Sequence, residues 1–274
     1  MSQPALSVSI AQLERQLGVR LFDRGPQGSV LSEFGEVLVR HAKALDTVLK
    51  TAEAEVSLRK LGVAGVLNIG GSPIALSSLV PRALGVMDQS GARIFATLEE
   101  GTEEDLTASL RENKFDLVVC SVSLDAVSPD IEEEPLVRIK LDIVVRPDSP
   151  YADCQSISLS DLRDARWAMP FPGGVFRRQV EAVFLTAGER FPSATLLCGS
   201  MASLKAVASC TDSVALLPRE AVALESRVGT LKVIPLVGPP ADRFLGIRRR
   251  RGQDPSPLGM RFTQALRAVA KEWG

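Results

Sequence analysis

From about residue 65 onward, short β-branched and apolar runs alternate with segments of helical periodicity, and this order leaves few architectures open. Residues 66–70 read as a strand, and Ser72-Pro73 open a helix running to about Asp88. A strand over 93–98, a helix over 103–112 and a strand over 115–122 follow. A second set comprises strands over 141–146 and 167–169, a helix over 174–187, a strand over 194–198, a helix over 201–210 and a strand over 213–217. Pro218-Arg219-Glu220 start another helix, residues 231–236 and 245–249 read as strands, and residues 257–272 form a closing helix. Strands separated by helices imply parallel βαβ units, and hence an α/β domain made of two similar halves.

Ligands of open α/β sheets bind beyond the carboxyl ends of the strands, where helix N-termini offer free N–H groups and a positive dipole. Four places have that character: Ser72 after the first strand, Thr102 after Glu100-Gly101, Pro172-Gly173-Gly174 before one helix, and Ser200-Met201 before another. Facing one cleft, they offer hydroxyls and backbone N–H groups to a small anion of the carboxylate class. Each alone also works as an ordinary N-cap, worth about 1 kcal/mol of helix stability. Val122, Met169, Phe171 and Met201 are available as apolar walls, and as core residues they need no ligand to explain them. The run Arg248 to Arg251 reads as the solvated end of an edge strand.

Ahead of this domain lies a helix patterned to pair with itself. Leu38, Ala42, Leu45, Leu49, Ala52 and Val56 alternate four and three residues apart, the 3.5-residue period of a coiled-coil seam, and charged residues hold the other faces. His41, the only histidine of the chain, sits on this helix with no second ligand nearby. Further forward, Ser2-Gln3-Pro4-Ala5-Leu6-Ser7 leads into an amphipathic helix ending at Gly18, with Ser2 able to cap it and Pro4 suited to its first turn. Leu6, Ile10, Leu13 and Leu17 define a face expected to be buried. A short apolar strand over 19–22 and a turn over 23–28 follow. Short hydrogen-bonding side chains at the leading end of such a helix suit base edges in a major groove.

The run Ser2 to Arg24, with Leu31-Ser32-Glu33-Phe34-Gly35 after it, resembles the DNA-binding domain of the LysR-type transcriptional regulators. Ser2 to Ser7 match the family's recognition helix, Leu13 to Arg24 its Leu-Glu-x-x-Leu-Gly-x-x-Leu-Phe-x-Arg run, and Gly25 to Gly28 its wing. Leu31 to Gly35 match the start of its linker helix. The resemblance implies DNA contacts from Ser2, Gln3, Pro4, Ser7 and Arg24; Val8 stands where the family often has Arg. It also implies a dimer, extending to a tetramer, that joins through Leu38, Leu45, Leu49, Ala52 and Val56 and reads a roughly palindromic promoter site in double-stranded DNA. Such proteins carry about thirty further residues upstream, forming the first helix of the helix-turn-helix, and Met1 leaves no room for them. The winged helix-turn-helix is therefore expected to be partial over 1–31, followed by a linker helix over 32–61. The remainder, 65–272, looks like the family's effector domain, of periplasmic-binding-protein type with two lobes and type 2 topology: lobe I over 65–137 and 239–272, lobe II over 138–238. The implied effector sits between the lobes on Ser72, Thr102, Val122, Pro172, Gly173, Ser200 and Met201. A form that has lost DNA binding and modulates a full-length partner is the alternative.

Composition bounds what remains. A formal net charge of −1 gives no basic excess, so phosphate binding falls to particular arginines, Arg24 first among them. There is no G-x-S-x-G, no P-loop lysine signature and no histidine placed as a base, so no catalytic residue, metal or cofactor is expected beyond the effector. Four cysteines without CxxC spacing read as buried, reduced thiols. The polar N-terminus shows no secretory signal and no apolar run is long enough for a bilayer, so a cytoplasmic protein without membrane contact is expected.

Overall fold

The computed structural model describes residues 3–25, 28–60, 65–89, 91, 94–122, 128–193, 196–238 and 244–273. At the front, helix α1 (Gln3–Leu17) ends at Gly18, whose φ of +72° suits a residue without a side chain. A hairpin of β1 (Phe22–Gly25) and β2 (Gly28–Leu31) follows, paired antiparallel from Phe22 opposite Leu31. The strand expected over 19–22 thus begins only at Phe22. The N–H groups of Leu21 and Phe22 donate instead to the Glu14 carboxylate, at 2.8 and 3.3 Å, and Leu21 is buried as the joint between helix and hairpin. The apolar face of α1 is only partly covered. Leu6 and Leu17 are each 49% exposed, and Ile10 and Leu13 only half-buried, because no described helix packs closely across them.

Helix α2 (Glu33–Lys60) is fastened to the hairpin at its start. Ser32 Oγ accepts the Gly35 N–H and donates to the Arg20 carbonyl, while the Ser32 N–H donates to the Leu21 carbonyl. Gly35 is needed there: a Cβ would stand 2.1 Å from the Leu21 carbonyl oxygen. Glu33 and Glu36 in the first turn complement the helix dipole.

Two sheets follow. The first collects β3 (Val66–Gly71), β4 (Phe95–Glu100), β5 (Leu117–Val122) and β6 (Ile131–Arg138), with helices α3 (Pro73–Ser77), α4 (Leu79–Asp88) and α5 (Glu103–Arg111) between its strands. The second set contains β7 (Leu141–Val145), β8 (Ala168–Pro170), α6 (Val175–Thr186), β9 (Leu196–Cys198), α7 (Met201–Cys210), β10 (Ala215–Pro218), α8 (Ala223–Arg227) and β11 (Lys232–Ile234). The chain then returns with β12 (Phe244–Arg250) and closes with α9 (Pro257–Lys271). The first sheet has the order β4-β3-β5-β12-β6 and the second β10-β7-β11, with the parallel pair β8-β9 joined beside β10 through a Trp167–Val214 bridge. The chain leaves the first sheet at Arg138, enters the second at Leu141 and comes back between Ile234 and Phe244. This is an α/β fold of periplasmic-binding-protein type in two lobes. Residues 239–243 of the return, and residues 61–64 of the joint expected before β3, lie outside the described residues.

Three expectations change. Pairing is parallel among β3, β4 and β5 and between β8 and β9, but antiparallel for β12 with both neighbours and for β7 with both of its own. The helix expected to run unbroken to Asp88 is interrupted at Ser78, since Pro81 has no N–H to donate four residues back to Ser77. Strand β6 was not expected at all, and it displaces the reading of Arg248 to Arg251. Because β6 forms the edge, β12 lies inside the sheet, and Arg248 is buried rather than solvated. Its guanidinium lies 2.6 Å from Glu133, and Arg249 lies 3.1 Å from Glu134, cross-strand pairs set by the β6–β12 register.

The sheets alternate in what they cover. Leu67, Ile69, Leu117, Val119 and Ile247 pack with Leu79 and Ala83 of α4 and Phe262 and Leu266 of α9. That cluster continues without a break into Val144, Ala168, Leu204, Ala215 and Leu217 of the second lobe. The opposite face of the first sheet, Val118 and Cys120, meets Leu106 and Leu110 of α5. The second lobe has a core of its own around Trp167, Met169, Val180 and Phe184. All four cysteines are free; Cys120 and Cys198 are buried as expected, whereas Cys154 and Cys210 are exposed. Among the described residues no helix is long and apolar enough to cross a membrane.

Candidate functional site

Between the two sheets lies a cavity of about 430 Å³, within the range of small-molecule sites. It opens where strands end and helices begin. Ser72 follows β3, Glu100 and Gly101 end β4, Ser121 lies near the end of β5, and Phe171 to Gly174 join β8 to α6. Gly199 and Ser200 join β9 to α7. Of the residues named from the sequence, Ser72, Thr102, Pro172, Gly173, Ser200 and Met201 all line this one cavity. Val122 does not. It is buried at the end of β5 opposite Phe244, because side chains alternate along a strand and it is Ser121 that borders the cavity. Of the expected apolar walls, Phe171 and Met201 line the cavity, while Met169 belongs to the core of the second lobe.

Each hydroxyl has local work. Ser72 Oγ accepts the Ala75 N–H at 3.4 Å, Thr102 Oγ1 the Asp105 N–H at 3.1 Å, and Ser200 Oγ the Ser203 N–H at 3.1 Å. These are N-caps of α3, α5 and α7. Helix α6 differs: its N-cap is Gly174, which has no side chain to satisfy the first-turn N–H groups, and Gly173 before it takes φ +92°. Its first turn therefore meets the cavity with its donors open.

Charge is divided between the walls. Glu100, Glu103 and Glu104 border the cavity from the first lobe, and the N-termini of α6 and α7 from the second. Arg177 also borders it, but its guanidinium is engaged by Glu181 at 2.6 Å and the Pro170 carbonyl at 2.9 Å, and lies over the Phe191 ring. An anion is thus favoured on the second-lobe side, by backbone donors rather than by a free cation. Burial pushes the Cys198 thiol up, so it borders the cavity as a neutral group. Among the lining residues that the sequence did not point to are Ser121 and Gln179. The available signal was a lone polar residue in each of two apolar patterns: Ser121 in the strand Leu117–Val122, and Gln179 on the buried face of α6 with Val180, Val183 and Phe184.

The front of the chain places the remaining candidates. Ser7 is exposed on α1; Ser2 lies outside the described residues, as do the side chains of Gln3, Pro4 and Arg24. On α2, Leu45 and Leu49 are 66% and 65% exposed, and Val56 and Phe34 are exposed with them, while Leu38 is half-buried. Ala52 also borders a groove that α2 shares with Asn68, Phe115 and Arg250 of the first lobe. The described residues thus leave an apolar stripe on α2 uncovered.

The family model for the LysR substrate binding domain matches residues 60–271, and that for the bacterial regulatory helix-turn-helix protein of the lysR family matches residues 1–36. The chain is 31% identical over 241 residues to the SDS degradation transcriptional activation protein of Pseudomonas sp., covering 86% of this chain and 76% of that protein. Among solved structures it is similar to a full-length OxyR variant from Pseudomonas aeruginosa, with a TM-score of 0.70, 23% identity, and coverage of 97% and 86% of the two chains. Full-length CbnR complexed with its target DNA has a TM-score of 0.68 at 19% identity, covering 99% of this chain and 91% of that one.

Proposed function

The chain belongs to the LysR family of transcriptional regulators, and we propose that it is a DNA-binding regulator switched by a small organic acid held between its two lobes. The observation that carries this reading is the convergence of the N-termini of α5, α6 and α7, contributed by both lobes, on one cavity. The open first turn of α6 takes the carboxylate, with Ser72, Thr102, Ser200 and Met201 around it. Residues 1–31 read double-stranded DNA through Ser2, Gln3, Pro4, Ser7 and Arg24. Helix α2 pairs two chains, and pairs of dimers form a tetramer, so that the target is roughly palindromic. The CbnR structure, a complex with target DNA, supports the placement of the front segment on a duplex. The protein works in the cytoplasm and catalyses no reaction, in keeping with relatives that are regulators. The acid acts by its different affinity for two arrangements of the oligomer.

A duplex selected from a random pool, used in mobility-shift assays with and without a set of small carboxylic acids, tests this. An inverted repeat is expected, with a shift that responds to at least one acid. Ser200→Asp separates capping from binding: Asp caps a helix as well as Ser does, but places a negative charge at the cavity. That variant should hold DNA normally and need about tenfold more acid for the same response. If no duplex is retained even at about 50 mM salt, where phosphate contacts are strongest, the DNA-binding reading fails. An unaltered response of Ser200→Asp would move the acid elsewhere.

A further inference from the structure

Gln179 projects from α6 beside the cavity and is only 3% exposed. Its Nε2 donates to Ser121 Oγ at 2.9 Å, a bond that joins α6 of the second lobe to β5 of the first. Among the described residues its amide oxygen Oε1 has no partner, and the Ser121 hydroxyl, which accepts from Gln179, has no acceptor of its own. An amide oxygen at the wall of a cavity is available to accept from a donor on a bound ligand. Side by side, the two groups offer one acceptor and one donor. That is the complement of a hydroxyl, which both donates and accepts. Neither group is charged, so the pair offers no counter-charge to a second carboxylate or to an ammonium.

Ser121 is held in place independently of any ligand. Its carbonyl accepts from Arg248 Nη2 at 3.4 Å, and Arg248 is itself fixed by Glu133 and by Thr107 Oγ1 at 2.8 Å. Ile74, Phe171, Val175, Phe176, Met201 and Leu204 are among the apolar lining residues of the same cavity, and they compete for no hydroxyl.

We propose that Gln179 is a specificity-determining residue: with Ser121 it reads a hydroxyl on the buried end of the effector, which makes the effector a small hydroxy acid. This rests on the reading that the cavity holds an organic acid with its carboxylate at the second-lobe helix N-termini. Isothermal titration of the full chain with matched acids tests it: 3-hydroxybenzoate against benzoate, and 3-phenyllactate against 3-phenylpropionate. In at least one pair the hydroxylated acid should bind about tenfold to a hundredfold tighter, and Gln179→Met should bring its affinity down to that of its unhydroxylated partner. Should Gln179→Met fail to fold, as judged by its melting transition, Ser121→Ala carries the same expectation. Equal affinity of wild type for both members, or a preference that survives the substitutions, overturns the inference and leaves the acid site standing. If none of the four acids binds, the acid site and the inference fall together.

Discussion

Arg248 is the residue whose surroundings most change its meaning. In the sequence it belongs to a run of four arginines; in the fold its side chain and that of Glu133 are 7% and 8% exposed and 2.6 Å apart. Removing one partner of a buried pair strands the other charge, which costs far more than the pair contributes when intact. Arg248→Met should therefore lower stability in urea unfolding by about 3–5 kcal/mol. Arg248→Met with Glu133→Leu should recover most of it, and a double variant no better than the single would show that the pair is not the cause. Caps and polar lining residues were legible singly, since Ser72, Thr102 and Ser200 stand at helix starts that the pattern marks. Ser121 and Gln179 were not, because a polar residue inside an apolar pattern shows its partner only after the two lobes are brought together.

Elements with strong periodicity could be read; those that depend on a partner strand could not. The 3.5-residue spacing of Leu38 to Val56 gives α2 directly, and the alternation of strands and helices gives most of both sheets. Strand β6 opens with Ile-Glu-Glu-Glu-Pro, a run without apolar alternation, and carries a proline that only an edge tolerates. It is a strand because β12 sets Arg248 and Arg249 opposite Glu133 and Glu132. The same logic predicts what α2 does. Leu45→Glu with Leu49→Glu changes nothing that this chain packs within itself, but removes two apolar anchors from each partner. Sedimentation velocity should show the pair of chains weakened by about a thousandfold; an unchanged association would place the contact on another surface.

For the whole molecule, the feature that matters is the core shared between the lobes. Leu67, Ile69 and Phe262 of the first lobe lie in one contiguous cluster with Leu204, Ala215 and Leu217 of the second. Two lobes packed through a common core should unfold together. The two tryptophans report on opposite ends of it: Trp167 lies in the second-lobe core, and Trp273 follows α9 with Arg82 over its ring. Trp167→Phe and Trp273→Phe, each leaving a single reporter, should give coincident fluorescence transitions in denaturant. Midpoints that differ after allowance for each variant's own stability would mean that the lobes melt separately. The clamp at Gly35, where α2 begins, bears on the molecule at a larger distance. With Ser32 and Leu21 it holds hairpin and helix as one rigid piece, so α2, 28 residues long, is a lever of about 42 Å. A swing of about 5° at its far end displaces the recognition helix by about 4 Å, close to the 3.4 Å advance of one base along a strand. A displacement of that size is enough to bring two half-sites into or out of step with the turn of the double helix.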